Sequence, residues 1–175
     1  MVALIFAISV TLTVAFVCSL FEAFTLSTTV AEIEGLKKSH PRRGQQLETM
    51  KVEIEGTISA ILTLNTIAMS LGSMVIGALA AKLFGDRMLA IVSATFGAVL
   101  LVGAEVLPKN MGVVYRRALQ PYVVLPLWGL RRVLTPVTWA CNAIVRLIVR
   151  KGDHGHRSDE EIILLAEHGA RKGTL

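Results

Sequence analysis

Three stretches of the chain carry no Asp, Glu, Lys or Arg: residues 1–21, 56–81 and 88–104, which are 21, 26 and 17 residues long. A helix rises about 1.5 Å per residue, so about 20 apolar residues cross the roughly 30 Å hydrocarbon layer of a bilayer. All 18 basic and 13 acidic residues fall outside these windows. With 53% hydrophobic and 18% charged residues, the chain is also more apolar than an ordinary soluble domain. This excludes a soluble globular enzyme, a disordered tail and a disulfide scaffold. The expected fold is an all-α membrane protein with three transmembrane helices and cytoplasmic juxtamembrane amphipathic helices. The length suits one membrane domain over residues 1–150, followed at 151–175 by a cytosolic linker and an acidic helix.

The distribution of basic residues sets an expected orientation. Five lie between the first and second windows, two (Lys82 and Arg87) flank the turn between the second and third, and eleven follow the third. Basic residues accumulate on the cytoplasmic side. The N-terminus is therefore expected outside and the C-terminus in the cytoplasm of a multi-pass plasma (inner) membrane protein. The net charge of +5 then reflects topology and lipid headgroup contact, not nucleic acid binding. Cys18 and Cys141 each sit in an apolar run with no metal or disulfide spacing, and are expected as packing residues. The first segment lacks a basic n-region and is longer than a signal-peptide core, so it is expected to be retained.

Along the chain, the first helix is expected from Val2 past Glu22 towards Ile33. Ser39–Gly44 reads as a loop by its Pro and Gly, and Gln45–Glu55 as polar and helix-permissive. The second helix is expected over Gly56–Leu83 and the third over Met88–Leu107, ending at Pro108. Ala118–Leu130 and Val133–Val145 are each 13 residues, short for a span. Pro121, Pro126 and Pro136 interrupt them, and Arg131-Arg132 separates them. They read as interfacial helices around the bundle, with a dipping helical hairpin as the alternative. Ser158 to Glu161 resembles a capping box opening a helix over Asp159–Ala170. Such a short final helix suggests that a further domain follows.

Polar residues within the windows need a reason, because an ionisable group at the centre of a span costs about 2.5–3.5 kcal/mol. Glu22 and Glu105 close the first and third windows, and two readings fit them: interfacial carboxylates at helix ends, or donors to a site. Ser19 precedes Glu22 by three residues, on one helical face. Ala23 and Ser27 extend Ser19 into a small-residue stripe. Asn65 lies ten residues into the second window, where an amide needs a partner. A second stripe follows Ser59, Thr63, Thr66, Ser70, Ser73 and Gly77. Pro108 lacks an N–H and clashes with the carbonyl of Ala104, so the backbone should open beside Glu105. The resulting donors are hydroxyl, amide, carbonyl and carboxylate oxygens. That set suits Mg²⁺, Ca²⁺ or Na⁺, not zinc or copper. The four histidines all lie outside the spans, which speaks against an intramembrane enzyme.

The motifs also resemble those of a known family. Cys18-Ser-Leu-Phe-Glu-Ala23 resembles the F-S-x-x-E-x-A element of the CorC/cyclin M (CNNM) magnesium transporters. Thr63-Leu-Asn65-Thr-Ile-Ala68 resembles their asparagine-bearing second helix, and Glu105-Val-Leu-Pro108-Lys109 their E-I-I-P-K element. Asp159–Ile162 with Gly169–Gly173 resembles the acidic helix that leads to a pair of CBS domains. The resemblance covers nearly the whole chain in the right order. It implies a homodimer in the lipid bilayer that exports a dehydrated Mg²⁺ in exchange for Na⁺. By motif position it assigns oxygen donors to Ser19, Asn65 and Glu105, with the carbonyls of Gly103 or Ala104 as further ligands; Glu22 enters the candidate set only as the carboxylate beside Ser19. Cys18, Phe21 and Ala104 depart from the family's usual residues. ATP would act only through the CBS pair, absent from these 175 residues. The alternative function is a non-transporting scaffold or Mg²⁺ sensor that regulates another transporter.

Overall fold

The computed structural model describes residues 1–148 and is helical throughout apart from single-residue and two-residue links. The order is α1 (Val2–Ser27), α2 (Val30–Ser39), α3 (Pro41–Val52), α4 (Ile54–Phe84) and α5 (Asp86–Leu100). A π-helical segment (Leu101–Val106), α6 (Leu107–Val114) and α7 (Arg116–Ile148) follow. Three helical stretches are long and apolar enough to cross a membrane: Val2–Ser27, Ile54–Phe84 and Met88–Val114. The expected all-α fold with three spans is therefore observed. The chain divides into two compact units, Met1–Thr138 and Trp139–Leu175. The described part of the second is the C-terminal end of α7. The expected linker and acidic helix at 151–175 lie outside the described residues, as does the side chain of Cys141.

α1 is the central element of the first unit. It packs against α4, α6 and the π segment, and its buried side chains run from Leu4 to Thr25. The main core joins Cys18, Phe21 and Phe24 of α1 to Ile33, Leu36, Leu47 and Met50 of α2 and α3. It also takes in Ile61 of α4 and Val123, Val124 and Leu127 of α7. Cys18 is thus a buried packing residue with a free thiol. By contrast α4 leaves Leu62, Ile67, Leu71, Met74 and Val75 exposed, and α5 leaves Met88, Ile91 and Val99 exposed. In a spanning helix such faces meet lipid or another membrane helix, where exposure of apolar surface costs nothing.

Four boundaries differ from the sequence expectation, each for a local reason. α1 stops at Ser27 because Thr29 caps a new helix. The Glu32 amide donates to Thr29 Oγ1 (3.4 Å) and the Thr29 amide to Glu32 Oε2 (3.0 Å), a reciprocal capping box. Ser39–Gly44 is not a loop. His40 alone links α2 to α3, and Pro41 opens α3 in its first turn, where its missing N–H costs nothing. Gly44 lets the two helices cross tightly, since a Cβ there would lie 2.7 Å from the Lys37 backbone. The third span does not end at Pro108 but continues to Val114. Finally, the two short interfacial helices are one helix, α7, which contains Pro121, Pro126 and Pro136. No hairpin forms among the described residues.

The end of the bundle that holds α2, α3 and the start of α7 is tied together by charge. Lys51 of α3 donates from Nζ to the carbonyls of Thr25 (3.0 Å) and Leu26 (3.1 Å). These are last-turn carbonyls of α1, left without amide partners where the helix stops, and a cation suits that end of the helix dipole. Lys37 pairs with Glu34 and Glu48 at 2.7 Å each. Arg131 of α7 pairs with Glu53 and lies over the Trp128 ring, 5.9 Å from its centroid.

Candidate functional site

Small residues pack the three spans together near the candidate donors. Ala15 of α1, Leu100 of α5 and Ala104 of the π segment form one buried cluster, flanked by Leu12, Phe16, Met69 and Phe96. One turn along α1, Cys18 packs with Ile61 and Leu64 of α4. Asn65 follows Leu64 and precedes Met69, and Ser19 follows Cys18. The three spans therefore meet around Leu12–Phe16, Met69 and Phe96–Ala104, and Ser19 and Asn65 lie one helical turn from Ala15 and Met69. Ser19 is 2% exposed.

Asn65 supplies the sharpest signal. Its Oδ1 is buried and has no hydrogen-bond partner among the described residues. A buried amide oxygen left unpaired costs about 1–3 kcal/mol, so an unsatisfied acceptor inside a span points to a missing donor or cation. Among the described residues no group of three or more His, Cys, Asp or Glu could hold a metal. The oxygen donors here are instead mostly neutral, with one carboxylate per span at most.

The expected opening beside Glu105 takes the form of π-helix. Leu101–Val106 is wound with i→i+5 bonds, and the Leu107 amide bonds to the Val102 carbonyl. In that register the amide due to the Gly103 carbonyl is that of residue 108, and Pro108 has none. The freed acceptor is therefore Gly103 O, one residue before the Ala104 carbonyl that the α-helical register singled out. Glu105 lies inside this turn, half-buried and without an ion pair among the described residues. Glu22 differs from it. Its Oε2 lies 3.3 Å from Lys109 Nζ of α6, so its charge is already met by a side chain beyond Pro108.

The α1 stripe also acts as read. Ala23 is buried beneath Gly112 of α6, where an added Cβ would come within 2.9 Å of Ala23 Cβ and 2.8 Å of Leu20 O. Of the α4 stripe, Thr66, Ser70 and Ser73 are exposed in the single chain, and the close approach to α1 is made by Gly72, packed on the Thr11 side chain. Helical spacing alone cannot tell which small-residue face of a span meets a neighbour. A further feature was missed from sequence. Glu32, 4% exposed at its side chain, accepts from Arg116 Nε (3.0 Å) and Arg117 Nε (2.9 Å). Burial raises its carboxyl pKa, but the Thr29 amide and the two guanidiniums outweigh this and hold it down at about 2.

These elements define a multi-pass membrane protein whose third span turns π-helical at a carboxylate and whose second carries a buried amide oxygen with no partner among the described residues. The model of the family described as the cyclin M transmembrane N-terminal domain matches residues 4–175, and the chain belongs to that family. It is similar to UPF0053 protein sll1254 of Synechocystis, 27% identical over 179 residues, covering all of this chain and 51% of that protein. It also resembles UPF0053 inner membrane protein YfjD of Escherichia coli, 29% identical over 115 residues, covering 66% of this chain and 27% of that one. The chain thus spans about half or less of the relatives it matches.

Proposed function

We propose that this domain binds a dehydrated Mg²⁺ between its three spans and transports it across the plasma membrane. The observation that carries the reading is the buried Oδ1 of Asn65, unpartnered among the described residues, one helical turn from Met69, which packs on the Ala15–Leu100–Ala104 cluster. Ser19 would add a hydroxyl, Gly103 its freed carbonyl and Glu105 the neutralising carboxylate. These are the hard oxygen ligands Mg²⁺ takes. Irregular backbone at membrane depth is tolerated where it lines a cavity or is buried in protein. Ala104, 1% exposed, packs the π turn against α1 rather than adding a side-chain donor. Glu22 holds Lys109 and acts on the site through that pair.

Export in exchange for Na⁺ and a homodimeric assembly complete the reading by family, with an outside N-terminus from the distribution of basic residues and a non-enzymatic role from the absence of histidine in the spans. The test is Mg²⁺ flux into liposomes. Glu105→Ala should abolish flux while the protein remains folded. Unchanged flux would overturn the transport reading, and flux indifferent to a Na⁺ gradient would overturn the exchange.

A further inference from the structure

The first unit holds a second polar concavity, away from the spans. It lies between α2 and the start of α7, has a volume of about 420 Å³, and is lined in part by Glu32, Ser39, His40, Arg117, Gln120 and Pro121. That volume is within the usual range for small-ligand sites. Gln120 is 6% exposed, and its amide Nε2 is buried without a partner among the described residues. Arg117 uses its Nε on Glu32, 2.9 Å away, and its side chain is otherwise 82% exposed. A guanidinium has five N–H donors, so most of its fork remains free.

The balance of this groove favours donors. Both oxygens of Glu32 are occupied, by Arg116, Arg117 and the Thr29 amide. Two guanidiniums meet one carboxylate, which leaves net positive charge. Arg43 adds a third at the rim, donating from Nη1 to Pro121 O at 2.8 Å. An occupant must therefore be anionic and rich in acceptors. Its position points to the source. The groove is lined by α2, which directly follows the end of α1, and Tyr122 and Leu125, next to Pro121 on α7, are 77% and 48% exposed. An apolar helix face next to a basic groove at the end of a bundle is the arrangement of an interfacial helix with its headgroup site.

We propose that this groove binds the phosphate headgroup of an anionic phospholipid, with Gln120 and Arg117 as donors and the acyl chains along Tyr122 and Leu125. The purified protein in detergent would be titrated with dioctanoyl phosphatidylglycerol, dioctanoyl phosphatidylcholine or sodium phosphate, and bound lipid read by native mass spectrometry. Wild type should retain phosphatidylglycerol in preference to phosphatidylcholine. Gln120→Leu and Arg117→Gln should each weaken retention about tenfold, the loss of one strong hydrogen bond. The lipid-free Gln120→Leu protein should unfold no earlier than wild type, because an apolar group replaces an unsatisfied donor. Equal retention of the two lipids, or unchanged retention in both variants, would overturn the proposal. Displacement of phosphatidylglycerol by equimolar inorganic phosphate would assign the site to a soluble anion and overturn the lipid source. A destabilised Gln120→Leu protein would make Gln120 a structural residue and also count against it.

Discussion

Gly112→Ala tests how α6 is held against α1. The new Cβ would stand 2.8 Å from Leu20 O, 2.9 Å from Ala23 Cβ and 3.1 Å from Phe24 N. None of these atoms lies on a flexible side chain, so the clash cannot be relieved by a rotamer change. Carbon atoms pack best at about 3.5–4.0 Å, and α6 must back away by about 0.6 Å or more. Overpacking of this kind costs about 1–3 kcal/mol, and Ala recovers up to about 1 kcal/mol of helix propensity over Gly. The expected net loss is about 1–2 kcal/mol, a fall in Tm of about 3–6 °C for a chain of this size. The control is Gly129→Ala in α7, where nothing lies within 4 Å of the added Cβ. Propensity alone then acts, and Tm should rise by about 2 °C. Thermal unfolding of both variants in one detergent makes the comparison. A Gly112→Ala protein as stable as Gly129→Ala would refute the close approach, and with it the placement of Lys109 near Glu22.

Two further outcomes follow from the charged end of the bundle. Glu32 has a carboxyl pKa of about 2, below the ordinary 4.5, so its ionised form stabilises the fold. That contribution is full above about pH 4.5 and fades as pH falls towards 2. The gap is worth at most about 3 kcal/mol, and screening around the exposed Arg117 lowers the expectation to about 1–2 kcal/mol. Glu32→Gln should remove this acid-dependent loss in urea unfolding between pH 5 and 3; an unaltered pH slope would contradict it. Lys51→Met leaves the Thr25 and Leu26 carbonyls without their ammonium and should cost about 1–2 kcal/mol, read as earlier thermal unfolding; no change would show that water caps α1 equally well.

The spans were legible because hydrocarbon thickness forces long charge-free runs, and no other fold of these residues needs them. The Thr29–Glu32 capping box was equally local and marks where α1 ends, but the apolar residues on either side masked it. α7 was not legible as one helix: three prolines and Arg131-Arg132 each look like breaks, yet Val123, Val124 and Leu127 bury one face in the core and keep the helix whole. The Glu32 cluster joins residues 84 and 85 positions apart, a pairing that no local pattern carries. At the candidate site, Pro108 foretold an opened backbone, but only the π register moves the freed carbonyl from Ala104 to Gly103.

The proposed site holds one divalent cation among Ser19, Asn65, Gly103 and Glu105. Isothermal titration of Mg²⁺ into the purified protein, wild type against Asn65→Leu, tests it most directly. Leu removes the orphaned oxygen while keeping the volume, so the fold should persist or gain stability. The wild type should bind one Mg²⁺ per chain and the folded Asn65→Leu protein none. Undiminished Mg²⁺ binding by that variant would contradict it.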